Sequence, residues 1–230
     1  MKSLIFSGLL LLSGLILLAQ EDIPFYYFNK EYIAEKTIYN AKDEVVAQQR
    51  YNVVELYVNE GKAKAEGRNI KIKSNKEEEE TFSLFTWDGN CMKMAMGKSE
   101  NGEDVFLDYP IDMKIRDNLV TGLSFETEAT VAGKKLKIYS RIDNRVVLAV
   151  NQKVTTSLDS WNCVMTGYDM ELKCKVLGIG IPVKVYVIEW FSGETGIVRT
   201  EVYRNGKLQE RRELTGFRSV EPDKLSLKDR

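Results

Sequence analysis

Ile179-Gly180-Ile181-Pro182-Val183-Lys184-Val185-Tyr186-Val187 sets the fold class of this chain. Branched apolar residues fill every second place, with Gly, Pro, Lys and Tyr between them. A β-strand turns successive side chains to opposite faces, so this period of two marks a strand with one face buried. Pro182 cannot donate to a ladder, which predicts an edge position or a bulge there. Leu136, Ile138, Ser140 and Ile142 repeat the pattern, as do Ile70 and Ile72 among basic residues. Turn signals fall between such runs. Asn205-Gly206 separates Glu201-Val202-Tyr203 from Leu208-Gln209, a two-residue hairpin signal. Asp88-Gly89, Asn59-Glu60-Gly61 and Ala132-Gly133 serve similarly. Ala41 to Gln49 has helical propensity, but its place between two strand-like runs reads as a hairpin end. The expectation is an all-β fold: a curved antiparallel sheet forming an open barrel or a sandwich.

The N-terminus has a different character. Met1-Lys2 is followed by an apolar run from Leu4 to Leu18, which Ala19-Gln20-Glu21-Asp22 ends abruptly. This charge–apolar–small order is that of a secretory signal. The run is shorter than the ~20 residues that span a bilayer. Leu17 is a poor residue three places before a cut after Ala19, which leaves an uncleaved anchor as the alternative. The expected organisation is a signal peptide over 1–19, one antiparallel β domain over 20–218 and a polar tail over 219–230. No cysteine follows the apolar run, so the expected product is not acylated and keeps no stable transmembrane span once the signal is removed. The compartment expected is periplasmic or secreted, in a bacterial envelope.

Composition excludes several chemistries. The chain has no histidine, which removes Ser-His and Cys-His nucleophilic systems and the commonest metal ligand. Its formal charge is −1, with no basic stripe, so nucleic acid is not an expected partner. Glu77-Glu78-Glu79-Glu80 lacks calcium-loop spacing and reads as a solvated loop or hairpin end. Cys91, Cys163 and Cys174 show no C-x-x-C spacing, so neither structural zinc nor any other cofactor is expected. Cys163 and Cys174 bracket Thr166-Gly167-Tyr168-Asp169. With a turn at 168 and 169, the two cysteines would face each other and could form a disulfide. The alternative is three buried, reduced thiols.

Among the acids, Glu189 shares a strand face with Val185 and Val187. It reads either as a general acid or, with a turn centred on Glu194, as the cross-strand partner of Arg199 in a structural ion pair; the pairing is the favoured reading. Glu126 and Glu128 lie two apart and read as an exposed acidic face, with a glycosidase-like pair as the rival. Phe25-Tyr26-Tyr27-Phe28 reads as a first strand packed on the sheet, or as a docking strip. Met92, Met94 and Met96 alternate, and core packing is the expectation, with an apolar cavity lining behind it and a soft Cu(I) site last.

Several stretches resemble the TapB-like family of exported bacterial envelope proteins. Lys36-Thr37-Ile38-Tyr39-Asn40-Ala41-Lys42 is similar to that family's opening strand and turn, and Phe85-Thr86-Trp87-Asp88-Gly89 to its central hairpin. Leu107-Asp108-Tyr109-Pro110, with Leu119 and Ser124 beyond it, resembles a further stretch. Val154-Thr155-Thr156 with Trp161-Asn162-Cys163, and Glu189-Trp190-Phe191 with Gly193 and Gly196 to Glu201, resemble the closing strands. Trp161, Ser157-Leu158-Asp159 and Asp117 depart from the family pattern. The resemblance implies a sheet reminiscent of periplasmic lipoprotein carriers, and it implies no activity. The expected function is a non-catalytic binding or structural module, not an enzyme, whose partner is an unknown envelope component, an apolar ligand or a lipid. A carboxylate-dependent hydrolase of an envelope polymer is the alternative.

Overall fold

A computed structural model describes residues 23 and 25–220, save 132, 133, 177 and 178. The signal peptide, its cleavage site and the tail beyond 220 lie outside the described residues. Twelve strands follow one short 3-10 turn at Tyr26–Phe28: β1 (Tyr32–Asn40), β2 (Val45–Asn59), β3 (Lys62–Lys73), β4 (Lys76–Trp87), β5 (Cys91–Lys98), β6 (Asp104–Pro110), β7 (Leu123–Val131), β8 (Lys134–Thr155), β9 (Ser160–Val176), β10 (Ile179–Ser192), β11 (Gly196–Arg204) and β12 (Lys207–Ser219).

They form one antiparallel sheet in the order β4-β3-β2-β1-β12-β11-β10-β9-β8-β7-β5-β6. A further pairing of β4 with β5 closes eleven strands into a barrel and leaves β6 on the remaining edge of β5. The all-β antiparallel expectation holds, in its barrel form. Turn chemistry explains the order. Two-residue loops at Glu60-Gly61, Ser74-Asn75 and Asn205-Gly206 all have positive φ, as the tight turns between twisted strands require. The segment from Ala41 is the β1–β2 hairpin end, and Glu77 begins β4 just after a turn. Pro182 lies on β10 beyond the reach of β11, whose pairing starts at Tyr186, so it occupies an edge.

Alternation divides inside from outside. On β3, exposed Lys62, Lys64 and Glu66 alternate with buried Ala63, Ala65 and Gly67. The barrel interior is filled from one end by the chain's own N-terminal segment. Phe25, Tyr26, Tyr27 and Phe28 are all buried. Phe25 packs on Trp87 and Phe191 with ring centroids 5.3 and 5.5 Å away, and Tyr27 stacks on Phe85 at 4.1 Å. Three hydrogen bonds tie this turn to the wall: Tyr51 Oη donates to the Tyr27 carbonyl at 3.0 Å, Tyr26 N to the Thr195 carbonyl at 3.3 Å and Tyr26 Oη to the Ile197 carbonyl at 3.3 Å. Phe25–Phe28 is therefore neither a strand nor an exposed strip. It is a plug.

Two predicted pairings fail. Thr166 to Asp169 is not a turn; it lies inside the continuous strand β9, which holds Cys163 and Cys174 eleven places apart. At about 3.3 Å per residue no disulfide can join them. Cys163 is a free, buried thiol and Cys91 is also free. The glycine that suggested a turn has another cause. A Cβ at Gly167 would stand 2.2 Å from Tyr186 Oη and 2.7 Å from Leu148 Cδ1, so the glycine makes room for side chains packed over the strand. The second failure is the pairing of Glu189 with Arg199. The turn is centred where expected, since Ser192 faces Gly196 and Phe191 faces Ile197. A bulge between Trp190 and Phe191 then shifts the register by one residue, so Glu189 meets Thr200 and Arg199 meets Trp190.

Candidate functional site

The register places one row of inward side chains across the barrel wall: Thr166 on β9, Glu189 on β10, Thr200 on β11, Arg212 on β12 and Ile38 on β1. Neighbouring strands lie about 4.8 Å apart, so Glu189 and Arg212, two strands apart, are about 10 Å from each other and do not touch. A buried carboxylate must be hydrogen-bonded to persist. Glu189, 4% exposed, accepts from Tyr109 Oη at 2.7 Å and from Tyr168 Oη at 3.2 Å.

Tyr168 comes from the same wall. Tyr109 arrives from β6, which β5 carries into the interior. Leu107 and Tyr109 of β6 are fully buried, and the Tyr109 ring stacks on Phe191 at 5.2 Å. Arg145 of β8 closes the cluster. Its guanidinium lies 4.6 Å from the Tyr109 ring centre, and Nη1 donates to the Asp108 carbonyl at 2.7 Å. Burial, and after it the Glu189 charge, push the hydroxyls of Tyr109 and Tyr168 well above the usual tyrosine range, so both stay protonated donors.

Beside this cluster the interior is hollow. A chamber of about 190 Å³ is lined by Ile38, Gln49, Asn69, Lys71, Thr81 and Arg212. A void of about 30 Å³ adjoins it through shared Gln49 and Asn69, and Tyr26, Tyr27, Tyr51, Ala34 and Lys36 bound that void. Gln49 Nε2 donates to Asn69 Oδ1 at 3.2 Å, and Asn69 Nδ2 donates to Ser83 Oγ at 2.7 Å, which fixes the amides of the floor. Arg212 is held through Nε by Glu210 at 2.5 Å and is 43% exposed, so the chamber opens to solvent at that side. Lys36 lies 5.6 Å from the Tyr26 ring centre. Burial, with Arg212 repelling it, lowers its ammonium pKa to about 8, and Glu189 only partly offsets this.

The other sequence candidates lie elsewhere. Arg199, 24% exposed, pairs with Glu213 at 2.7 Å, and Arg211 binds the same carboxylate at 3.2 Å. Arg199 also donates to the Thr155 carbonyl, so it ties the β8–β9 end to β11. Glu126 is neutralised by Lys137 at 2.6 Å, which holds its carboxyl below the usual range. Met92 is fully buried, and Met94 and Met96 pack against the same core. Burial raises the Cys163 thiol to about 12 and the Cys91 thiol to about 11, so neither is a thiolate nucleophile near neutral pH. Among the described residues no group of acids and cysteines could hold a metal. Sequence reading found Glu189 but missed Tyr109, Tyr168, Arg145, Lys36 and Arg212. One signal was available: Lys36 stands between Ala34 and Ile38, a charge at the inward place of an alternating strand.

Two solved structures share this fold. A candidate lipoprotein from Parabacteroides distasonis matches with a TM-score of 0.68 and 15% identity, over 86% of this chain and 100% of its own. A candidate exported protein with a YmcC-like fold from Bacteroides fragilis matches with a TM-score of 0.68 and 16% identity, over 84% of this chain and 98% of its own. Among curated proteins nothing matches. The family model described as DUF3108-like matches residues 32–214, the whole span from β1 into β12, and the chain belongs to the DUF3108-like family.

Proposed function

We propose that this protein is an exported, non-catalytic binding module of the bacterial envelope, with its ligand site in the barrel interior. One observation carries the reading. The buried carboxylate that could do acid chemistry, Glu189, is committed to two tyrosine hydroxyls, and among the described residues no hydrogen bond joins it to a second acid. General acid–base hydrolysis of a glycosidic bond needs two carboxyl groups facing one substrate. Glu126, the other candidate, is tied to a lysine at the surface.

The lumen bears on the ligand's character. Its apolar end is occupied by Phe25–Phe28, and the volume left is polar and smaller than the ~300–1,000 Å³ of a typical small-molecule pocket. That favours a small polar ligand over the apolar or lipid ligand expected from sequence. The lysines and Glu66 on the outer face of β3 argue against a membrane-spanning barrel, whose outer band must be apolar. The likeness to candidate exported proteins, and the resemblance to TapB-like envelope proteins, support export to the periplasm or beyond. N-terminal sequencing of the protein recovered from culture fractions tests this. The expected result is a soluble chain beginning at Gln20. A chain that begins at Met1 and sediments with membranes would contradict it.

A further inference from the structure

Lys36 and Arg212 face the same interior from adjacent strands, and each repels the other. Glu210 neutralises Arg212 through Nε at 2.5 Å, whereas the ammonium of Lys36 is costly in a partly desolvated space unless an anion neutralises it. Among the described residues Lys36 has no ion-pair partner, and the acid whose charge supports it, Glu189, is engaged by Tyr109 and Tyr168. Lys71 is the second cation on the chamber wall beside Arg212, and pairs with Glu79 in the β3–β4 ladder. Gln49 and Thr81 line the same space with neutral donors. The Gln49–Asn69–Ser83 chain of hydrogen bonds fixes that floor before any ligand enters, which lowers the ordering cost of binding.

We propose that this chamber, with the small void beneath it that Lys36 bounds, binds a small oxyanion, a phosphate or phosphate-like group, between Arg212 and Lys36, with Lys71, Gln49 and Thr81 completing its hydrogen bonds. Arg212 presents a planar fork suited to two oxygens, and Lys36 supplies a point charge beneath it. The inference rests on the reading of the protein as a binding module and names the ligand class of that same site. The charge of Lys36 makes binding pH-dependent. The groups facing it are Tyr26, Tyr27 and Tyr51, all shifted upward by burial, together with Arg212 and Glu189. Affinity should therefore fall as pH rises through about 8.

The test is calorimetric titration of the mature protein with inorganic phosphate, against chloride at equal ionic strength, with flotation on phosphatidylglycerol vesicles as a second arm. The variants are Lys36→Met and Arg212→Met. The expected result is a one-to-one phosphate isotherm that weakens at least tenfold in each variant, while the ligand-free melting temperature of Lys36→Met, which breaks no ion pair, stays equal to wild type or rises. That last readout separates the proposal from a structural role, because removing a structural ion pair would lower stability. Vesicle binding that depends on Arg212 would assign the oxyanion to a lipid headgroup; phosphate binding without flotation would assign it to a free solute. Two results overturn the proposal: a wild type that responds to neither probe beyond chloride, or variants that keep wild-type affinity. Neither would touch the export test, so failure here is distinguishable from failure of the functional reading.

Discussion

Replacing Phe25 with alanine should destabilise the mature protein by about 3–5 kcal/mol, the usual cost of emptying a phenylalanine site in a packed interior. Phe25 is fully buried and meets Trp87 at the β4 end, Phe191 on β10 and Phe28 in its own turn. Trp87 and Phe191 come from distant parts of the chain, so no short local movement can refill the space. At this chain length the loss should lower the melting temperature by about 6–20 °C. Phe82 provides the control. It is 70% exposed on the outer face of β4, and Phe82→Ala should shift stability by no more than about 0.5 kcal/mol. The comparison separates a plug that is part of the core from an aromatic strip resting on the surface. Equal, small effects at both positions would show that the N-terminal turn does not fill the barrel.

Glu189→Leu should cost a similar amount, about 3–5 kcal/mol, for a different reason. The substitution leaves the buried hydroxyls of Tyr109 and Tyr168 without their acceptor, at about 1–3 kcal/mol for each group left unpaired. It also withdraws the one charge that supports the ammonium of Lys36, which burial and Arg212 already oppose. Chemical denaturation of the variant beside Tyr109→Phe resolves the parts. Tyr109→Phe removes a single hydrogen bond to a charged group and should cost about 1.5–3 kcal/mol. If Glu189→Leu keeps wild-type stability while a hydrolytic activity disappears, the carboxylate is catalytic and the non-enzymatic reading fails.

How far the sequence reaches is visible in these residues. Strands and turns were legible because they depend on local chemistry: the alternation around Val185 and Val187, and loops such as Asn205-Gly206 whose residues accept positive φ. Register was not legible. A single bulge at Trp190 and Phe191 redirects Glu189 from Arg199 to Thr200, and nothing in the residue types marks it. Gly167 misled because a glycine that makes room for a neighbouring tyrosine looks the same in sequence as one demanded by a turn. The interior cluster joins Tyr109 to Glu189 across 80 residues. That contact follows from β6 entering the barrel, which depends on how β5 is shared between β4, β6 and β7. The aromatic run at 25–28 was read as core, correctly, but as a strand. Its role as a plug required a closed barrel for it to enter.

The binding role proposed for the barrel depends on its small polar interior, filled at the apolar end by the chain's own N-terminal segment. Native mass spectrometry of the protein purified from its own envelope fraction tests that claim most directly. The account predicts a small acidic adduct on the wild-type protein that is missing from Arg212→Met. An adduct with the mass of an acylated lipid, retained in Arg212→Met, would contradict it.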